Sequence, residues 1–187
     1  MIRYSMLLTV TLLVGLAPLA IPSSAKAQSP ATLNLGNIEL HQNGGGFRKK
    51  SLLTLYEAAL YLAQPAQDSA RIVAADEPMS IRIEITSGFV SQQKMLDALN
   101  TGFQNSTGGN TTAIADPIQQ FRQCFADPIN RGDVFLISHI PGRGVLVHKN
   151  GQQKGLVGGL EFKQALFGIW LSDRPVDEGL KQAMLGR

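Results

Sequence analysis

Between Ser80 and Thr86 the chain alternates without a break. Ile81, Ile83 and Ile85 fall on one side of an extended segment, and Ser80, Arg82, Glu84 and Thr86 fall on the other. A strand with one apolar and one polar edge belongs to a sheet that is covered on one face and wetter on the other, the habit of antiparallel sheets. Arg82 and Glu84 then read as a solvated surface pair. Val134–Ile140 is a nearly continuous apolar run, which suits a strand covered on both faces. Val145–Lys149 and Gln152–Val157 flank Asn150-Gly151, a strong hairpin signal because both turn positions need positive φ.

Helical patterns lie among these strands. Asp68 can cap a short helix reaching Ala75, and Ser91 can cap one over Gln92–Gln104 with Met95, Leu96, Leu99 and Phe103 inward. Asp116-Pro117 opens another, with Ile118, Phe121 and Phe125 on its buried side. Leu160–Leu171 is apolar nearly all round towards its end, so it should be deeply packed. Asp173 and Pro175 begin a last helix with Leu180, Met184 and Leu185 inward. Hairpins without regular βαβ alternation make an α+β domain, an antiparallel sheet with helices packed on one face, an open-faced sandwich.

Residues 1–27 carry the pattern of a secretory signal: Arg3, an apolar run from Met6 to Ile21 broken by Pro18, and Ala25-Lys26-Ala27 before Gln28. Cleavage after Ala27 would leave residues 28–187 as one domain in the periplasm or outside the cell. No later stretch is long and apolar enough to span a membrane. Of the formal net charge of +3, Arg3 and Lys26 carry two units, so the remainder is close to neutral. With few aromatics and no basic stripe, nothing points to nucleic acid. Cys124 is the only cysteine, so no internal disulfide can form; it reads as a small buried hydrophobe. His41, His139 and His148 are scattered without ligand spacing, which argues against a metal site. The glycines around Gly155, Gly158 and Gly159 lack a following Gly-Lys-Ser/Thr, so they imply no phosphate cofactor. No cofactor is expected.

The stretch Gly44–Leu62 is the most suggestive chemically. Leu33–Leu40 reads as a strand with Gly36 as a bulge, and His41-Gln42-Asn43 begins a turn into three glycines. Adjacent glycines permit positive φ and a close approach to another group. Arg48 then stands at the mouth of an apolar segment, as a permanent cation for an anionic ligand or as part of a solvated cluster with Lys49 and Lys50. The segment itself fits two periods. Leu52, Leu53, Tyr56, Ala59 and Leu60 share a helical face, whereas Leu52, Thr54, Tyr56, Ala58 and Leu60 share a strand face.

Gly44-x-Gly46-x-Arg48 followed by an apolar stretch ending Ala59-Leu60-Tyr61-Leu62 resembles the opening of the chalcone isomerase-like family, in its bacterial, secreted branch. Gly132-Asp133, Ile140-Pro141-Gly142-Arg143-Gly144, Asn150-Gly151, Gly168-Ile169-Trp170-Leu171 and Pro175 follow in matching order, so the resemblance covers roughly residues 33–185. It implies that the segment after Arg48 is a strand and that the fold is the chalcone isomerase-like one, with an apolar cleft between sheet and helices. It also implies a function: non-catalytic members hold fatty acids, with an arginine on the carboxylate and a tyrosine hydroxyl helping. Arg48 and Tyr56 match those positions, and Thr54 is a further candidate on the same strand face. A carboxylate entering an apolar cleft needs such partners. The expected partner is therefore a small amphipathic carboxylate such as a fatty acid, with no catalytic residues assigned.

Two alternatives stand beside this. Plant members are intramolecular lyases that close a ring, with the arginine stabilising charge on an enone oxygen. Their strand threonine corresponds to Tyr56 here. Their cleft tyrosine, at a helix start, corresponds to Ser91; Lys94 follows three residues on, but Ala98 stands where they have asparagine. The third reading is structural: a partner-binding protein whose cleft is closed and whose Arg48 is tied up with Glu57 or another acid.

Overall fold

The computed structural model describes residues 29–187. The signal expected over residues 1–27 lies outside them. The described residues build a seven-stranded sheet whose spatial order follows the chain: β1 (Thr32–Leu35), β2 (Ile38–Lys50), β3 (Leu53–Leu62), β4 (Met79–Ile85), β5 (Val134–Ile140), β6 (Gly144–Lys149) and β7 (Gln152–Val157). Every neighbouring pair is antiparallel. Helices α1 (Ser69–Ala74), α2 (Gln92–Ser106), α3 (Ala115–Gln123), α4 (Leu160–Leu171) and α5 (Glu178–Met184) complete an α+β architecture.

The strand alternation sets what is buried. Ile81, Ile83 and Ile85 pair across β3 with Leu60, Ala58 and Tyr56, and face the helices. Phe135, Ile137, Val145 and Val147 extend that face. Above it, Phe103 of α2, Phe121 of α3 and Phe162 of α4 meet beside Phe125 and Phe135, with ring centroids 4.9 to 6.2 Å apart. Such offset and edge contacts add to the burial of the rings themselves. Helix α4 is buried along nearly its whole length, as its all-round apolarity predicts. Its one cation is part of the fold: Lys163 Nζ donates to the carbonyls of Ile72, Val73 and Ala75 at 2.9, 2.8 and 2.6 Å, and so closes the C-terminal end of α1.

Several local expectations are corrected. Gly36 is not a bulge inside one strand; with φ of +61° it turns the chain between β1 and β2. His41, Gln42, Asn43 and the glycine triplet are not a turn but the middle of β2. Gly44 and Gly46 serve a close approach to the chain itself. A Cβ on Gly44 would run into the Ala183 carbonyl of α5, and one on Gly46 would come within 2.8 Å of Ala183 Cβ. Asn43 secures the crossing: its side chain donates to the carbonyls of Ala66 and Met184 and accepts from the Ala66 N–H, each at 2.9 Å. The last helix starts at Glu178 with Asp177 as its cap, later than Asp173 and Pro175 suggested. Arg82 and Glu84 are not a loose surface pair. They lie 2.8 Å apart with side chains 12 and 21 % exposed, and Ser29 accepts from Arg82 and donates to Glu57 over them. The residues before β1 thus cover part of the outer sheet face, where Tyr61 also donates to the Pro30 carbonyl.

Candidate functional site

Arg48 and Tyr56 are direct cross-strand partners on β2 and β3. Next to them the register slips: Lys49 pairs with Thr54, so Leu55 is an extra residue on β3. A bulge of this kind brings two consecutive side chains to one face. Leu55 and Tyr56 accordingly both pack towards the helices, while Thr54 is shifted off that face.

Arg48, Leu53, Leu55 and Tyr56 line a cavity of about 710 Å³ beneath the β2–β3 hairpin. Its other walls come from the segment entering α2 (Phe89, Val90), from α2 itself (Met95, Gly102), and from Pro175 and Val176 ahead of α5. Thr54 is not part of the lining. The volume suits a small ligand. The lining is mixed: apolar side chains from β3, α2 and the segments before α2 and α5 stand beside the polar Thr101 and Asn105 of α2. Lys50, Lys94 and Asp97 add charge to the lining.

The polar end is built around the arginine. Its Nη1 donates to Asp177 Oδ2 at 3.0 Å and to the Lys49 carbonyl. Both bonds leave from one nitrogen of a five-donor group. The Arg48 and Asp177 side chains are 25 and 20 % exposed, so the pair is partly desolvated. Burial alone would raise the Asp177 carboxyl. The Leu180 N–H, the Arg48 hydrogen bond and the Arg48 charge outweigh it and hold the carboxyl below its usual range. Asp177 is thus ionised at neutral pH while Oδ1 caps α5 through the Leu180 N–H at 3.0 Å.

Burial pushes the Tyr56 phenol up to about 12, against the lowering effects of the Trp170 hydrogen bond and of Arg48. At neutral pH the phenol keeps its proton. Trp170 Nε1 donates to Tyr56 Oη at 3.1 Å, occupying an oxygen lone pair. That leaves the Tyr56 O–H as a donor beside Arg48. The arrangement can hold an anion at one end and an apolar chain along Leu53, Leu55, Val90, Met95 and Val176.

The sequence reading placed Arg48 and Tyr56 here but missed Asp177 and Trp170. Asp177 lies 129 residues from Arg48, and its one local signal is that of a helix cap. Glu57, the acid suggested for Arg48, instead faces Ser29 on the other side of the sheet. Lys94 and Ala98, singled out by spacing, do line the cavity.

The family model described as chalcone isomerase-like matches residues 22–186. The chain belongs to the chalcone isomerase-like family. No curated protein sequence matches it. Among solved structures, a fatty-acid binding protein of Arabidopsis thaliana superposes with a TM-score of 0.66 at 20 % identity, over 84 % of this chain and 90 % of that one. At that identity the likeness speaks for the fold. It agrees with the antiparallel sheet and helical layer of this chalcone isomerase-like chain. No helix among the described residues is long and apolar enough to cross a membrane.

Proposed function

We propose that this chalcone isomerase-like protein is a secreted, periplasmic binding protein for a small amphipathic carboxylate, with a fatty acid the best fit. Arg48 is the anion anchor and Tyr56 the second donor. The observation that carries this reading is the cross-strand Arg48–Tyr56 pair at the head of an apolar cavity of about 710 Å³. The similarity in fold to a plant fatty-acid binding protein supports it. The binder is non-catalytic in this reading. The place of the plant enzymes' cleft tyrosine is taken by Ser91, and the Tyr56 phenol, at about 12, is a poor base at neutral pH.

One observation favours the structural alternative in part: Arg48 is already paired, with Asp177. The open cavity beside that pair weighs against a closed cleft. Titration with dodecanoate separates the two. Arg48→Ala should weaken binding by more than about 1.5 kcal/mol, roughly tenfold or greater, because a charged hydrogen-bonding partner is lost. Equal affinity in wild type and variant would remove Arg48 from the site. A protein that takes up no fatty acid at all would favour the structural reading.

A further inference from the structure

The turn joining β2 to β3 is Ser51-Leu52, and Leu52 is 100 % exposed. Ser51 holds φ at +53°, a conformation that ordinarily selects glycine or asparagine. The two-residue hairpins between β1 and β2 and between β6 and β7 follow that rule, with Gly36 and with Asn150-Gly151 at their positive-φ positions. The β2–β3 turn instead places a serine in that conformation and presents a fully exposed leucine beside it. Across the cavity, Phe89 is 61 % exposed. Lys94 Nζ donates to its carbonyl at 3.0 Å and lies 6.0 Å from its ring, so the loop that carries Phe89 is held in place.

These two projections flank one opening. Lys50 and Leu53 line it from the hairpin, Phe89 from the loop and Lys94 from the first turn of α2. Lys49, Lys50 and Lys94 are exposed around the two tips. Of the acids nearby, Asp97 lines the cavity on α2 and Asp177 is engaged by Arg48. The mouth is therefore apolar at its tips and cationic around them.

We propose that this mouth docks on an anionic lipid bilayer, with Leu52 and Phe89 entering the interface and Lys49, Lys50 and Lys94 lying against the headgroups. Charge complementarity selects the bilayer. Lysines can sit at headgroup level while apolar tips reach below it. A protein partner would call for a broader apolar core than two separated tips supply. Docked in this way, the cavity opens towards the phase in which amphipathic carboxylates are stored. The fatty-acid reading supplies a purpose for the surface; the exposed residues supply its evidence.

The test is co-sedimentation of the whole protein with phosphatidylcholine vesicles prepared with and without phosphatidylglycerol. Binding is expected to the anionic vesicles and to weaken as salt is raised. Neither Leu52 nor Lys49 is in the cavity lining. Lys49→Glu should reduce binding by at least about fivefold, the contribution of a single basic residue near an anionic surface, and Leu52→Glu by at least as much, because it replaces an apolar tip with a charge. Dodecanoate uptake from vesicle-free solution should be unchanged in Leu52→Glu, which also reports that it is folded; the circular dichroism spectrum reports the fold of Lys49→Glu. Absence of binding to anionic vesicles, or variants that bind as wild type does, overturns the proposal. So does self-association of the wild type abolished by Leu52→Glu, which would give the surface to a second copy. Vesicle binding without dodecanoate uptake would leave the docking surface standing and remove the fatty-acid reading.

Discussion

Asp177→Asn is the sharpest perturbation of the site, because the account predicts a gain. A ligand carboxylate on Arg48 would share the guanidinium with Asp177. Two carboxylates on one guanidinium stand about 5–6 Å apart, so at an effective dielectric near 20 they repel by about 3 kcal/mol. Both protein side chains keep a fifth to a quarter of their exposure, and water then reduces the figure to about 1.5 kcal/mol, or roughly tenfold in affinity. Asparagine removes the charge but keeps an oxygen for the Leu180 N–H, and it caps helices about as well as aspartate. The fold should lose only about 0.5–1 kcal/mol for the partly exposed ion pair. Isothermal titration should show dodecanoate binding about tenfold tighter, with dodecanol, which carries no charge, unchanged. If dodecanoate affinity instead falls as in Arg48→Ala, Asp177 holds the arginine in its working position and the competition argument is wrong. Equal affinity would mean that the carboxylate lies elsewhere.

Two further predictions concern the frame of the site. Gly44→Ala would drive a methyl group into the Ala183 carbonyl and force α5 off β2; urea unfolding should show a loss of more than about 2 kcal/mol, and a loss under half that size would mean that α5 moves away freely. Lys163, buried by α4 against the end of α1, is lowered from 10.5 to about 8 by desolvation, against the raising effects of Asp76 and Glu77. Between those values the folded state binds fewer protons than the unfolded one, so its contribution is present above about 10.5 and lost as pH falls through about 8. The stability of wild type relative to Lys163→Met should therefore rise from pH 7.5 to pH 10; a flat difference would show that Lys163 has an unshifted value.

Much of the frame was legible because single-period patterns decide it. The alternation of Ile81, Ile83 and Ile85, the Asn150-Gly151 turn and the apolar run that ends the Leu160–Leu171 helix each have one structural solution. The stretch around the site does not. Leu52 to Leu60 satisfies both helical and strand spacing, so its assignment as β3 depended on the family resemblance. The bulge at Leu55 then decided which side chains reach the cavity. It kept Tyr56 with Arg48 and displaced Thr54, and nothing local in Leu53-Thr54-Leu55-Tyr56 marks it. By its local pattern the glycine triplet reads as freedom to turn. It is instead a strand thinned to admit α5, a demand set by residues about 140 positions away and invisible in the local pattern. Asp177 escaped notice for the same reason: ion pairing across the fold leaves no periodic trace.

The central claim is that the cavity beside Arg48 and Tyr56 holds an amphipathic carboxylate. Native mass spectrometry of the protein from its own host, followed by extraction and identification of anything bound, tests it most directly. The account predicts one carboxylate lipid per chain, depleted in Arg48→Ala. A chain that emerges empty, and that stays empty after incubation with fatty acids of several lengths, would contradict it.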